Sequence, residues 1–431
     1  MLVCTINFAD VISTLAFFVH RLSERTWFKV AFCTAIVAVI LVEASAGRND
    51  LDIFLAASSD IFLGKNVYAS TYFDGYHYYY SVFFASVIYP LTFLPPFLSK
   101  LVWLSFNVFL IARIIKLVLW FFDDWKTTKE IRTLLIWLSV IFCLRFLKGN
   151  LHLGQLTILM LAISLEAMYR AYKNQFVFGS FLLALAINIK LLPIVLIPYL
   201  IYRAQWKMVM ATFGSLVVLY FLPAVWFGFK QNYFLLSEWW VLVNPNDQRH
   251  IIDLDESSFH SLTTLCAALF TDSSFDPVGL QTKWNIACLT NQQLFALITS
   301  VRLTLVIFAL WFLRSMPFVG FGSKEKTWWE ISYLLLVVPL IFPHQQHYAF
   351  LMALPAVVWL LYWLLSLSNY PSNVKSFTLA VLVVYLTFNL SLLLGVFNSY
   401  YNHFKIVTFG ALILVLLLAC ARPDSQIDLS N

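Results

Sequence analysis

Residues 376–396 read SFTLAVLVVYLTFNLSLLLGV, a run without one Asp, Glu, Lys or Arg. The hydrocarbon core of a bilayer is about 30 Å thick, and a helix needs roughly 20 apolar residues to cross it. A helix that is apolar on every face belongs in lipid or deep in a protein core. Outward along the chain, comparable stretches fall at 28–46, 97–120, 131–147, 156–169, 176–189, 193–203, 208–227, 293–313, 330–343, 347–366 and 404–421. Together they predict roughly twelve crossings. Of 431 residues, 61% are hydrophobic and 12% charged, against about 25% charged in a soluble domain. The expected fold class is an all-α integral membrane protein, because helices satisfy their own backbone in lipid.

The net charge of +6 comes from basic residues set singly or in pairs beside the apolar stretches. That distribution argues against a nucleic-acid partner and follows the positive-inside rule. With a cytoplasmic N-terminus, the inner loops hold Arg21, Arg25, Lys126, Lys129, Arg170, Lys173, Arg203, Lys207, Arg314, Lys324, Lys326, Lys375 and Arg422. The first strong apolar stretch follows Arg21, Arg25 and Lys29 without a small-residue cleavage site, and reads as a retained anchor. The expected organisation is a cytoplasmic segment 1–27, one polytopic domain over 28–421 and a cytoplasmic tail 422–431. Two long segments, about 47–96 and 228–292, then face outward. Within the first, Tyr78–Pro95 is apolar and proline-ended, and is expected as a helix lying along or dipping into the outer face.

This orientation sorts the histidines. His77, His152, His250, His260, His344, His347 and His403 fall at the outer side, and His20 falls inside. Histidine suits proton transfer and phosphate contact near neutral pH, so the chemistry is expected at the outer face; longer outer loops that collect polar residues are the plainer explanation. The six cysteines form no CxxC pair or metal-ligand spacing. Cys266 and Cys288 share one external segment, where oxidising conditions permit a disulfide.

Several short constellations carry polar chemistry at that face. Asp50 and Asp52 follow the first span, where a carboxylate can act as base on a hydroxyl or simply open a helix. Tyr68 and the run Tyr76-His77-Tyr78-Tyr79-Tyr80 supply aromatic faces for sugars or isoprenoid chains, although aromatic rings also anchor at the interface. Arg145, Lys148, His152 and Gln155 bring cations and polar tips to the membrane edge, to hold a phosphate or to snorkel. Lys190, before Pro193 and between two short apolar stretches, puts an ammonium where the chain turns back, a functional candidate by position. Pro343-His344-Gln345-Gln346-His347-Tyr348 adds two imidazoles, with no acidic partner in the same turn for a metal. There is no Walker sequence and no dinucleotide fingerprint. Asp50 and Asp52 spell DxD, but on the wrong side of the membrane for a cytosolic nucleotide sugar.

Taken in order, these segments resemble glycosyltransferase family 87, polytopic enzymes of the GT-C fold class that use polyprenyl-phosphate sugars. The resemblance rests on Asp50-Leu51-Asp52-Ile53-Phe54-Leu55-Ala56-Ala57 with Leu63-Gly64 and Tyr68, then Tyr89-Pro90-Leu91 with Leu94-Pro95. Gly154-Gln155, Lys190 with Pro193, and Pro343 with His347-Tyr348 continue it, from about residue 48 to 350. Where the family pattern has Gln-Ser-Leu, this chain has His260-Ser261-Leu262.

The resemblance implies a GT-C-like fold with external juxtamembrane helices and a multi-pass enzyme in a bacterial inner (plasma) membrane, its site facing the periplasm or exterior. It implies an inverting transfer of mannose, another hexose or arabinofuranose to a glycan or glycolipid acceptor. Asp50 would be the base, with Asp52 the second choice. Lys190, Arg145 and His347 would hold the donor phosphate, and Tyr68, His77, Tyr80, Gln155, His260 and Tyr348 would line the substrate and lipid site. The activated donor needs no nucleotide; a divalent metal is used by only some members of the fold class. A transporter or lipid-linked sugar flippase is the rival expectation. The large external segments and the want of an internal repeat weigh against it. A polysaccharide polymerase or ligase would share the carrier and the external site.

Overall fold

A computed structural model describes residues 8–73, 75–123, 128–244, 258–272, 280, 282–366 and 374–423. His250 lies outside the described residues. The described chain is helical, its only β pairings being the isolated bridges Tyr72–Tyr76 and Phe259–Gln346. In chain order the helices are α1 (Phe8–Glu24), α2 (Thr26–Ala44), α3 (Asp50–Phe62), α4 (Val82–Ile88), α5 (Pro96–Phe121), α6 (Lys129–Phe142) and α7 (Leu144–Leu153). There follow α8 (Thr157–Tyr172), α9 (Phe176–Ile189), α10 (Leu196–Tyr202), α11 (Trp206–Phe221), α12 (Ala224–Phe227), α13 (Phe229–Val243) and α14 (Leu262–Phe270). The last are α15 (Asn291–Leu313), α16 (Lys324–Ile341), α17 (Leu354–Ser366), α18 (Val374–Asn389), α19 (Asn398–His403) and α20 (Ile406–Cys420).

Among the described residues, six helices are long and apolar enough to cross a membrane: Thr26–Ala44, Pro96–Phe121, Trp206–Phe227, Asn291–Leu313, His347–Ser366 and Lys375–Leu392. The number is eight if two bent pairs, Lys129–Phe142 with Leu144–Leu153 and Gly395–His403 with Ile406–Cys420, each count as one span. The other apolar stretches behind the expected twelve are helical, yet α8, α9 and Leu192–Tyr202 are short, and α16 carries Lys324, Glu325, Lys326 and Glu330. Their surroundings explain the shortfall. α8 is buried along nearly its whole length between α5 and α9, and α16 is buried from Thr327 to Leu340 against α17 and α20. A helix enclosed by protein meets no lipid along its sides, which allows short or interrupted segments there. By contrast α2, α15 and α18 are largely exposed apolar helices, the outer layer that would meet lipid.

Polar residues at helix starts fix the boundaries. Ser81, Thr128, Ser261, Thr290 and Ser323 each accept a hydrogen bond from the backbone of the following turn, satisfying an otherwise orphaned amide. Ser261 in particular starts α14, which gives the His260-Ser261-Leu262 stretch a local structural role.

Two segments left open by the sequence take definite local structure. The Tyr78–Pro95 stretch forms α4 and a 3₁₀ turn at Tyr89–Phe93; Val82–Ala85 and Ile88 are buried, and the stretch packs on α3. One side of it thus joins the protein core, while Val87, Phe93 and Leu94 are exposed. Cys266 and Cys288 are both free, the first buried in α14 and the second exposed, so no bridge joins them. The N-terminal segment also contains α1, packed against α6.

Candidate active site

The expected base sits at the first position of α3. Asn49 caps that helix and shares a reciprocal capping box with Asp52: the Asn49 side chain accepts from the Leu51 amide at 3.2 Å, and the Asp52 carboxylate accepts from the Asn49 amide at 2.8 Å. Asp52 also pairs with Lys100 at 3.0 Å, and the same ammonium donates to the Gly47 carbonyl at 2.7 Å. Asp52 is thus committed to holding the turn. Asp50 instead accepts a hydrogen bond from the Gln155 side chain, which α7 delivers from across the fold. The Asp50 carboxylate also gains from the positive end of the α3 dipole.

Gln155 is placed by the sharp end of α7. Gly154 takes a left-handed φ of 64°, and a Cβ there would lie 3.1 Å from Leu51 and 3.3 Å from the Asn49 side chain. Trp103 donates to the Gly154 carbonyl at 3.0 Å. The far side of Gln155 accepts from the Tyr80 hydroxyl at 3.4 Å. Burial, with Tyr348 and Asp50 adding to it, pushes the Tyr80 phenol well above its ordinary range, so the hydroxyl keeps its proton. Tyr68 reaches the same loop from within: its buried hydroxyl donates to the Tyr80 carbonyl at 3.0 Å.

Lys190 follows α9 in extended backbone, just before the 3₁₀ turn at Leu192–Val195 that contains Pro193. Its ammonium lies 5.6 Å from the centre of the Tyr80 ring. Burial brings its pKa down to about 8, with the Asp50 carboxylate opposing that fall. Asn188, buried on the last turn of α9, accepts from Ser81 at 2.9 Å and so ties this turn to the aromatic loop. His77 and the exposed Tyr76 and Tyr79 border that loop, and Trp239 of α13 donates to the Tyr79 carbonyl at 3.2 Å.

A second, basic cluster lies toward the other end of α7. Arg145 is buried, donates to the Tyr401 hydroxyl at 2.7 Å and stacks over that ring. His260 is fully buried, its backbone N–H donating to the Gln345 carbonyl at 2.8 Å and its carbonyl accepting from the Thr408 hydroxyl at 2.6 Å, with the Asn402 side chain beside its ring. Burial, then the charges of Lys405, Arg145 and His347, drive its pKa well below the ordinary value. It is therefore a neutral imidazole. His347 packs on Gly149, where a Cβ would come within 2.6 Å of the imidazole Nε2. Tyr348 follows directly, and its carbonyl accepts from Asn150 at 3.0 Å.

The expected phosphate ligands therefore divide. Lys190 belongs with Asp50, Gln155 and Tyr80, whereas Arg145 and His347 share a cluster with His260. Along the α7 axis, Arg145 and Leu153 are about 12 Å apart. Tyr348 and the middle of α7 connect the two groups. Sequence reasoning missed Lys100, although a lysine one turn inside an apolar stretch was itself a signal. It also missed Lys405, whose proximity to His260 depends on a bend between distant helices. Among the described residues, no three His, Cys, Asp or Glu side chains converge to hold a metal.

Comparison with known proteins identifies the family of the chain. No curated protein matches the chain. The family model for glycosyltransferase family 87 matches residues 78–322, a span that contains Tyr80, Arg145, Gln155, Lys190 and His260 and leaves Asp50, Asp52, Tyr68, His77, His347 and Tyr348 outside. With more than half its length matched, and with the helical, membrane-type architecture described above, the chain belongs to glycosyltransferase family 87.

Proposed function

We propose that this glycosyltransferase transfers a hexose, or arabinofuranose, from a polyprenyl-phosphate carrier to a glycan or glycolipid at the outer membrane face, inverting the anomeric centre, on a GT-C-like scaffold. The observation that carries the proposal is the contrast between Asp50 and Asp52. One carboxylate is bound into the helix cap, and the other meets Gln155 beside a buried ammonium and an aromatic loop.

In the proposed reaction, Asp50 accepts the proton of an acceptor hydroxyl as that oxygen attacks the anomeric carbon. The bond from that carbon to the phosphate oxygen breaks on the opposite face, and polyprenyl phosphate departs with the electron pair. Gln155 orients the base, and Tyr80 orients Gln155. An in-line displacement needs the leaving group away from the base, which suits the separation of Asp50 from the Arg145–His347 cluster. Cations in that cluster, with Lys190 nearer the base, would stabilise the developing phosphate charge. The neutral His260 imidazole and the Tyr348 and His77 rings are assigned to substrate contact. The proposed steps require no metal.

The test is transfer in reconstituted membranes, with purified wild type and Asp50→Asn offered polyprenyl-phosphate mannose and other polyprenyl-phosphate sugars. Release of polyprenyl phosphate by wild type, lost in the variant, is the expected result. Movement of intact lipid-linked sugar without release by either protein would replace the proposal with a flippase.

A further inference from the structure

The end of α5 remote from the candidate site carries a cavity of about 500 Å³, lined by His20 of α1, Trp120 of α5, Asp123 just after that helix, and Lys129, Arg132 and Thr133 of α6. Lys100, at the other end of α5, contacts Asp52, so about 30 Å of helix separates the cavity from that site. Leu119 and Ile136 add an apolar wall.

The chemistry around the cavity favours an anion. Thr133 donates its hydroxyl proton to the Lys129 carbonyl at 2.9 Å, so its 3.0 Å contact with His20 makes Nδ1 the donor. The Trp120 ring has the Lys173 ammonium at 5.1 Å and the Lys324 ammonium at 4.7 Å. Among the described residues, Asp123 is the one acid of the lining and lies 3.5 Å from Arg132, so an anion there meets Lys129 and shares Arg132 with Asp123; Glu24 is paired with Lys29 at 2.9 Å, and Glu130 is bonded to its own helix start. The setting is also amphipathic. Both α5 and α6 have a terminus here, and α1 beside them exposes Val11, Leu15 and Phe18. A free phosphate has no use for the apolar wall, whereas a lipid has acyl chains to place along it.

We infer that this cavity binds the phosphodiester headgroup of an anionic phospholipid from the adjoining leaflet. Lys129 and Arg132 contact the phosphate, and Leu119 and Ile136 receive the upper acyl chain.

Full-length protein is reconstituted in phosphatidylcholine discs with or without phosphatidylglycerol, and retained lipid is counted by native mass spectrometry after detergent release. Wild type should retain phosphatidylglycerol selectively. Lys129→Gln with Arg132→Gln should weaken retention about fivefold for each charge removed, while Lys207→Gln, at another helix end, should leave it unchanged. Melting in pure phosphatidylcholine establishes that the double variant is folded; if it is not, Lys129→Gln alone serves. Equal loss in the Lys207 variant, unchanged retention in the cavity variants, or displacement of phosphatidylglycerol by millimolar inorganic phosphate would overturn the assignment.

Discussion

Asp50 and Asp52 carry the same functional group two positions apart, and their surroundings predict different consequences of removing it. Asp50→Asn should reduce transfer by about 10²–10⁴-fold, the contribution of a positioned general base, with donor KM little changed in a steady-state assay. Asp52→Asn removes the partner of the buried Lys100. It should lower stability by about 3 kcal/mol, read as a fall in Tm, with a smaller loss of turnover per folded molecule. Lys190 adds a pH dependence. Its pKa of about 8 lies below the ordinary 10.5, so the folded chain holds the proton less tightly than the unfolded chain. The resulting cost to stability is full below about pH 8 and fades as pH rises from 8 to 10.5. Function runs the other way: donor affinity should fall as pH rises through about 8 and the ammonium is lost. Lys190→Arg, which stays charged, should flatten that profile; an unchanged profile would remove Lys190 from donor binding.

α7 links the two polar groups, and its glycines test that link. At Gly149 a new Cβ would meet the His347 ring at 2.6 Å, so Gly149→Ala should displace the imidazole and raise donor KM while the protein remains folded. Gly154→Ala combines a left-handed backbone with close contacts to Asn49 and Leu51. It should cost about 1–2 kcal/mol and move Gln155 away from Asp50, lowering kcat. The start of α3 was legible in Asn49-Asp50-Leu51-Asp52, because a capping pattern is a local property. Which of the two carboxylates met Gln155 was not legible, since their partners come from α5 and α7. The same limit applies to Cys266 and Cys288: a shared external segment permitted pairing, but packing buried one thiol and exposed the other. Without reductant, Cys288 should react with a maleimide in the folded protein and Cys266 only after unfolding, as peptide mass mapping would show.

Across the whole molecule, apolar composition established a helical membrane-type protein, because a bilayer accepts only backbones that satisfy themselves. The order of short motifs established the family, since each marks a turn or helix start that survives in a single chain. Hydropathy drew twelve apolar stretches, of which six to eight among the described residues have the length and apolarity of a span; apolar helices in protein and in lipid have the same composition, and only packing distinguishes the enclosed α8 and α16 from the exposed α2 and α15. The buried Arg203–Glu330 pair, joined by Tyr199 at 2.7 Å, binds the end of α10 to α16 in that enclosed layer. Glu330→Gln should cost about 3–5 kcal/mol by stranding Arg203, measured by thermal unfolding in detergent. The sequence by itself determined the helices, their apolar character and the family, all of which depend on local pattern. Tertiary structure alone decided that Asp52 serves the fold while Asp50 meets Gln155, and that Lys190 stands apart from Arg145 and His347. The physical reason is that a side chain's charge, solvation and free valences depend on neighbours tens to hundreds of residues away.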